Sequence, residues 1–200
     1  MLNSSILNAP FQIRIIVNIS EHKLDGAKWV PSPNFNERPN GAAINMLVVH
    51  NISLPPKQFG GSYIEDFFCN QLDCSLDPYF EEIQNLQVSA HLLIKRDGEL
   101  VQFVPFNLRA WHAGVSEFKG QENCNDFSIG VELEGADDVP YTEQQYEKLA
   151  DVAVSLCQHY PQIKMDRIVG HCDIAPQRKT DPGPSFNWTH FKQLLKKRSA

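Results

Sequence analysis

The sequence predicts a single α/β domain, with several strands and helices packed on them. Three observations predict it. Met46-Leu47-Val48-Val49 is a short continuous apolar run, as expected of a buried strand. Two apolar runs flank Asp97-Gly98, a hairpin signal. After Thr142, apolar residues recur at helical spacing.

In chain order, residues 1–27 bear no evident relation to the rest of the chain and are expected to be an N-terminal extension, with the domain proper at 28–200. Pro31, Pro33, Asn34, Asn36, Pro39 and Gly41 mark an irregular loop. The apolar run from Met46 is expected to end on His50. Pro55, Pro56, Gly60 and Gly61 make a second loop, read as a surface loop with a lid as the alternative, and a helix comes next at about residues 63–69. Leu92-Leu93-Ile94 and Leu100-Val101-Gln102-Phe103-Val104 form the hairpin, whose Asp-Gly turn is expected to hold both positions at positive φ. Residues 127–134 read as a strand. Thr142 with Gln145 resembles a capping box. It opens a helix whose Tyr146, Leu149, Ala150, Ala153, Val154 and Cys157 share one face and which Pro161 stops. Ile168-Val169 leads as a strand into His171, and a last helix covers about residues 187–197.

Composition narrows the function classes. A net charge of -6 disfavours a nucleic-acid partner, and Lys196-Lys197-Arg198 reads as a solvated helix end. Five cysteines, an odd number at irregular spacing, point to reduced thiols in a reducing compartment. The apolar stretch at residues 11–19 is broken by Gln12, Arg14 and Asn18, which makes a poor signal peptide. No run approaches the roughly 20 apolar residues that span a bilayer. A cytoplasmic protein without a membrane partner is expected.

Three features carry chemistry, each with an ordinary alternative. His50 ends a buried strand, where rigid backbone aims a side chain, although a histidine there also satisfies backbone carbonyls. His171 ends another strand and precedes a polar, proline-rich loop holding Arg178, Lys179 and Asp181. If that loop is extended, Lys179 and Asp181 share a side: a surface ion pair, or a metal-ligating carboxylate beside a cation that stabilises negative charge. Two histidines and one carboxylate leave a fourth zinc position open, the catalytic arrangement. Along Ile129-Gly130-Val131-Glu132-Leu133-Glu134, alternation puts Gly130, Glu132 and Glu134 on one face. That face is either the solvated side of the sheet or the seat of a general base, with Gly130 leaving room beside it. No GxSxG elbow, P-loop or GxGxxG occurs. His22, His159 and His190 fall in tail or helix positions, His91 opens the hairpin, and His112, beside Trp111, is a candidate pocket residue.

Taken together, several segments resemble the AmpD-type anhydro-N-acetylmuramyl-L-alanine amidases. They are His50-Asn51-Ile52-Ser53-Leu54-Pro55-Pro56, Val88-Ser89-Ala90-His91, Arg109-Ala110-Trp111-His112-Ala113-Gly114, residues 125–135, Gly170-His171-Cys172-Asp173-Ile174-Ala175-Pro176 and Arg178-Lys179-Thr180-Asp181-Pro182-Gly183-Pro184. The resemblance runs from about Trp29 to the final helix. It implies a central mixed sheet flanked by helices, with a zinc groove at one end. It implies one zinc ion on His50, His171 and Asp181, with Glu132 and Lys179 catalytic; on pattern alone Glu132 and Glu134 stay equivalent. Asn51, Trp111 and Arg178 match positions that contact product. The implied substrate is the cytosolic anhydromuropeptide of cell-wall recycling, cut between the lactyl group and L-alanine, by a monomer. Gln87 and Asn123 stand where some members carry a basic residue. The competing readings are an amidase preferring intact peptidoglycan and a non-catalytic binding module on the same fold.

Overall fold

A computed structural model describes residues 17–199. A small hairpin of β1 (Ile19–Ser20) and β2 (Lys23–Leu24) is followed by β3 (Lys28–Trp29), β4 (Phe35–Asn36) and the long strand β5 (Met46–Ile52). Two short helices, α1 (Tyr63–Phe68) and α2 (Pro78–Ile83), precede the hairpin of β6 (Leu92–Ile94) and β7 (Leu100–Gln102). Then come β8 (Arg109–Ala110), the hairpin β9 (Glu117–Phe118) and β10 (Gln121–Glu122), and the second long strand, β11 (Ser128–Glu134). Helix α3 (Glu143–His159), β12 (Ile168–Gly170), the short α4 (His171–Ile174) and α5 (Trp188–Ser199) complete the chain.

The central sheet has the order β12-β5-β11-β6-β7-β3. β12, β5, β11 and β6 are parallel; β7 runs antiparallel to β6 and parallel to β3, so the sheet is mixed, as expected. Its two long strands, β5 and β11, are buried on both faces because both faces are covered. On one, Leu47, Val49, Ile129, Val131 and Leu133 pack against Leu149, Ala153 and Leu156 of α3 and Phe191 and Leu195 of α5. On the other, Met46 and Val48 meet Ala113, Phe127 and Ile174. Further along, Leu93, Val101 and Phe103 meet Phe67 and Phe68 of α1 and Phe80 and Ile83 of α2.

Three of the elements depart from the sequence expectation or add to it, and the helix after Thr142 meets it. β5 continues past His50 to Ile52, because β11 pairs with it as far as Glu134. In the β6–β7 hairpin only Gly98 has positive φ, at 88°. Its N–H donates to Lys95 O (2.9 Å) and Lys95 N–H donates to Glu99 O (2.9 Å), a type I turn closed by a left-handed residue rather than a two-residue turn. Helix α2 was not expected, although Asp77-Pro78 is a start signal: the Asp77 side chain accepts from Tyr79 N–H (2.9 Å) and Pro78 needs no partner. The α3 capping box forms in both directions, Gln145 N–H to Thr142 Oγ1 and Thr142 N–H to Gln145 Oε1.

Of the N-terminal stretch, residues 1–16 lie outside the described residues. Residues 17–27 lie on the main core: Val17 and Leu24 are buried in it, Ser155 Oγ donates to Val17 O, and Leu24 N–H donates to Gln102 Oε1 (2.7 Å).

Arg38, in the irregular loop before β5, ties the segments that feed β11. Its guanidinium donates to the carbonyls of Phe106 (3.1 Å), Asn107 (3.2 Å), Asn125 (3.0 Å), Asp126 (3.0 Å) and Ser128 (2.8 Å). Burial draws its pKa down to about 10, so it stays charged. Arg38→Met keeps the stem but strands these carbonyls. It is expected to lower unfolding stability by about 3 kcal/mol in urea titration; an unchanged midpoint would show that the clamp contributes nothing.

Candidate metal centre

The register of β5 and β11 sets Glu132 directly beside His50, with both side chains on the same face of the sheet. On the other side of β5, Gly170 pairs with Val49, so His171, the first residue of α4, arrives next to His50. The loop after α4 turns back on itself. Cys172 N–H donates to Asp181 O (2.9 Å), and Tyr141 from beyond β11 donates its hydroxyl to Pro182 O (2.8 Å). Gly183 is seated so close to Asp137 that a Cβ there would lie 2.3 Å from its Cα.

These constraints bring three side chains to one point. His50 Nδ1 and His171 Nδ1 are 3.0 Å apart, and Asp181 Oδ2 is 3.1 Å from the first and 3.0 Å from the second. Among the described residues this is the one group of His, Cys, Asp or Glu placed to hold a metal ion. The edges are close to the roughly 3.3 Å between corners of a tetrahedral zinc site with bonds of about 2.0–2.1 Å. His171 Nε2 lies 3.1 Å from Ala113 O, a carbonyl that only accepts. A neutral ring that donates there presents a lone pair at Nδ1, facing the Asp181 oxygen. A lone pair against a carboxylate repels unless a proton or a metal cation lies between them. Two imidazoles and one carboxylate are a donor set that a zinc ion accepts. Burial pushes the His50 imidazole down to about 4, against the opposing contact with Asp181, so the ring is neutral at pH 7, the ligating form.

The triad lies in a groove of about 660 Å³ that Glu132 and Lys179 also line, with an apolar arm formed by Leu54, Phe67, Tyr79 and Ile83. Glu132 is 8% exposed and its Oε2 has no hydrogen-bond partner. Burial first, then the charge of Asp181, raises its carboxyl well above the usual range, while Lys179 pulls the other way. Glu134 is buried too, but both oxygens are taken: Oε1 accepts from Gly60 N–H (2.5 Å) and Oε2 from Arg96 N–H (3.0 Å). The shared face of these glutamates is therefore not a solvated side of the sheet. Nor does Gly130 leave free room beside Glu132. That space holds the ring of His112, which a Cβ at 130 would meet at 2.4 Å.

The remaining residues singled out in the sequence are spread around this centre. Asn51 and Trp111 line the groove, Asn51 donating to Asp137 Oδ1 (2.8 Å) and Trp111 Nε1 to Asn36 Oδ1 (2.7 Å). Arg178 does not line this groove; it donates to Ala113 O and Val115 O (both 2.7 Å), and with Asn123 it lines an adjoining hollow. Gln87 lines another hollow, beyond Phe67 and Leu86. The Pro55–Gly61 loop walls the groove with Leu54 and Pro56, and Lys57 pairs with Asp138 (2.6 Å) at its edge. His91 accepts from Gly130 N–H (3.0 Å) and donates to Leu108 O (3.0 Å), a bridge within the fold. Sequence reasoning missed the work of Glu134, Tyr141 and Arg38, whose partners are distant in the chain; His112 was noticed only as a pocket candidate. No helix among the described residues is long and apolar enough to cross a membrane.

The N-acetylmuramoyl-L-alanine amidase family model matches residues 40–184. The 1,6-anhydro-N-acetylmuramyl-L-alanine amidase AmpD of Escherichia coli strain K12 is 56% identical over 174 residues, covering 87% of this chain and 94% of that protein. A crystal structure of an AmpD derivative superposes with a TM-score of 0.86 at 54% identity, covering 88% of this chain and 98% of that one. The amidase AmiD of E. coli, solved with the substrate anhydro-N-acetylmuramic acid-L-Ala-D-γ-Glu-L-Lys, has a TM-score of 0.55 at 30% identity, covering 80% of this chain and 65% of that one.

The two glutamates should respond oppositely to substitution. Glu134→Ala strands two backbone N–H groups and is expected to cost about 2–4 kcal/mol in urea unfolding, whereas Glu132→Gln, which removes an unpartnered buried charge, should be at least as stable as the parent. A destabilised Glu132→Gln would mean the carboxylate is satisfied.

Acid should weaken the zinc-free protein earlier than carboxylate titration would. Burial holds His50 at about 4, His91 at about 3 and His112 well below 6.5. The unfolded chain then binds more protons, so their contribution is complete above pH 6.5 and is lost as pH falls towards those values, by up to about 1.4 kcal/mol per pH unit per group. Glu132, raised instead, works the other way as pH climbs above 4.5. Urea midpoints between pH 7.5 and 5 should fall with acid, and more steeply in Glu132→Gln; a flat profile would count against buried neutral imidazoles.

Proposed function

The chain belongs to the N-acetylmuramoyl-L-alanine amidase family, and on that premise we propose that it hydrolyses the amide between the lactyl group of 1,6-anhydro-N-acetylmuramic acid and L-alanine. One observation carries the reading. An unpartnered, buried carboxyl group, Glu132, lies in the same groove as the His50, His171 and Asp181 cluster. The high identity to enzymes of this activity, over nearly their whole length, supports the choice of substrate. We place the reaction in the cytoplasm, on free anhydromuropeptides of wall recycling, and carried out by a monomer.

His50, His171 and Asp181 would hold one zinc ion, which supplies Lewis-acid polarisation of the scissile carbonyl and acidifies water. The protein's own residues do the rest. Glu132, its proton affinity raised by burial, takes the proton of the attacking water and passes it to the departing amine. Lys179 sets its positive charge where negative charge grows on the carbonyl oxygen. Trp111 and Asn51, on the groove wall, are assigned to substrate contact, with Asn51 oriented by Asp137. Arg178 is assigned to the peptide carboxylate; in this position it borders the adjoining hollow, so the stem peptide would extend that way. With Gln87 and Asn123 uncharged, that grip is weaker than in members carrying basic residues there.

The test is mass analysis of a purified anhydromuropeptide incubated with the protein, with and without a chelator. Release of free peptide, abolished by the chelator and restored by zinc, is the expected result; unchanged substrate with zinc bound would overturn the assignment. Glu132→Gln should keep its zinc and lose about 10²–10⁴-fold in kcat. Cleavage of intact peptidoglycan in preference to the free fragment would move the substrate, not the chemistry.

A further inference from the structure

We propose that His112 is a positioning residue for the metal site: it accepts the Nε2 proton of His50 and so fixes the tautomer whose Nδ1 lone pair faces His171 and Asp181. The proposal rests on the zinc reading of the site and extends it to a groove residue that is not one of the three metal ligands.

The proton assignment comes from a chain of contacts that begins far from the groove. Ser128 Oγ lies 2.6 Å from Cys124 O. A carbonyl only accepts, so the single hydroxyl proton is committed there. Ser128 Oγ therefore meets His112 Nε2, 3.2 Å away, as an acceptor, and that nitrogen carries the proton. A neutral imidazole has one N–H, which leaves His112 Nδ1 as an acceptor. His50 Nε2 is 2.9 Å from it and must donate. The remaining nitrogen of His50, Nδ1, then presents a lone pair to His171 Nδ1 at 3.0 Å and Asp181 Oδ2 at 3.1 Å. A metal ligand whose other ring nitrogen is held in this way is oriented and made a better donor.

The seat of His112 is built for this. Its ring occupies the space above Gly130, in the middle of β11, where any side chain would collide with ring atoms at 2.4–2.7 Å. Its backbone is pinned by Asn125, whose Oδ1 accepts from the N–H of both His112 (3.1 Å) and Ala113 (2.8 Å). The same two-residue segment serves the second imidazole, since Ala113 O lies 3.1 Å from His171 Nε2. One short turn thus aims both histidine ligands, the first through a side chain and the second through a carbonyl.

The experiment has two readouts. In zinc-free, ¹⁵N-labelled protein, long-range ¹H–¹⁵N spectra of the histidine rings report which His50 nitrogen is protonated. Competition with a chelating dye measures zinc affinity in the same samples. The parent should show His50 protonated at Nε2. His112→Leu, which has no acceptor, should lose that single tautomer and bind zinc about 10- to 100-fold more weakly. His112→Gln, whose side-chain carbonyl accepts, should recover most of the affinity. Ser128→Ala leaves the ring but removes its anchor; it should show a smaller loss, and it carries the test if His112→Leu does not fold. A parent His50 protonated at Nδ1, or zinc affinities of His112→Leu and Ser128→Ala within twofold of the parent, would overturn the proposal. A parent that binds no zinc would defeat the zinc reading alone, since the His50 tautomer is still measured.

Discussion

The parallel pairing of β5 with β11 is the constraint on which the rest of the structure depends. It sets Glu132 level with His50, and it also decides which face each side chain takes. A slip of one residue in β11 would turn Glu132 into the apolar packing beneath α3 and bring Leu133 to the groove. The register is protected because both faces are buried. Ile129, Val131 and Leu133 have places waiting among α3 and α5, and no polar residue of β11 would fit there. A hydrophobic core thereby fixes the geometry of a polar site that it never touches.

Burial on the polar face then divides the side chains by what they meet. Ser128 and Glu134 find partners and become part of the frame; His50 meets His112, His171 and Asp181; Glu132 has an oxygen with no partner at all. The unmatched group is the one to which the proposed reaction gives the proton transfer, since an unsolvated carboxylate holds a proton more tightly than one in water. Keeping it so demands that the rest of the face be satisfied. Arg38 and Glu134 meet this demand by pairing backbone groups at the start of β11 and in the segments around Gly60 and Arg96.

Much of the scaffold could be read locally. The apolar run at Met46, the helical face from Tyr146 and the capping box at Thr142 each depend on neighbours within a few residues, and each forms as expected. The readings that failed or stayed open turned on partners outside the local window. The Asp-Gly turn took a different form because Lys95 and Glu99 close it; β5 ran on past His50 because β11 continues beside it. Glu132 and Glu134 were equivalent by alternation, and what separates them in the structure is Gly60 and Arg96, 74 and 38 positions from Glu134. Gly130 suggested open space, yet the space belongs to an imidazole from another loop.

The sequence by itself determined the class of fold, the position of most elements and, through its resemblance to a family, the chemistry to look for. Local periodicity encodes which residues are buried, because burial tracks the 2.0 and 3.6 repeats of strand and helix. It does not encode which buried polar groups meet. His50, His171 and Asp181 are separated by 121 and 10 positions in the chain, and only the sheet order and the returning loop bring them to 3.0–3.1 Å. The tertiary structure alone decided that convergence, the unpartnered state of Glu132 and the proton on His50. Each is a property of contacts between distant segments, and hydrogen bonding to a specific partner has no periodic signature.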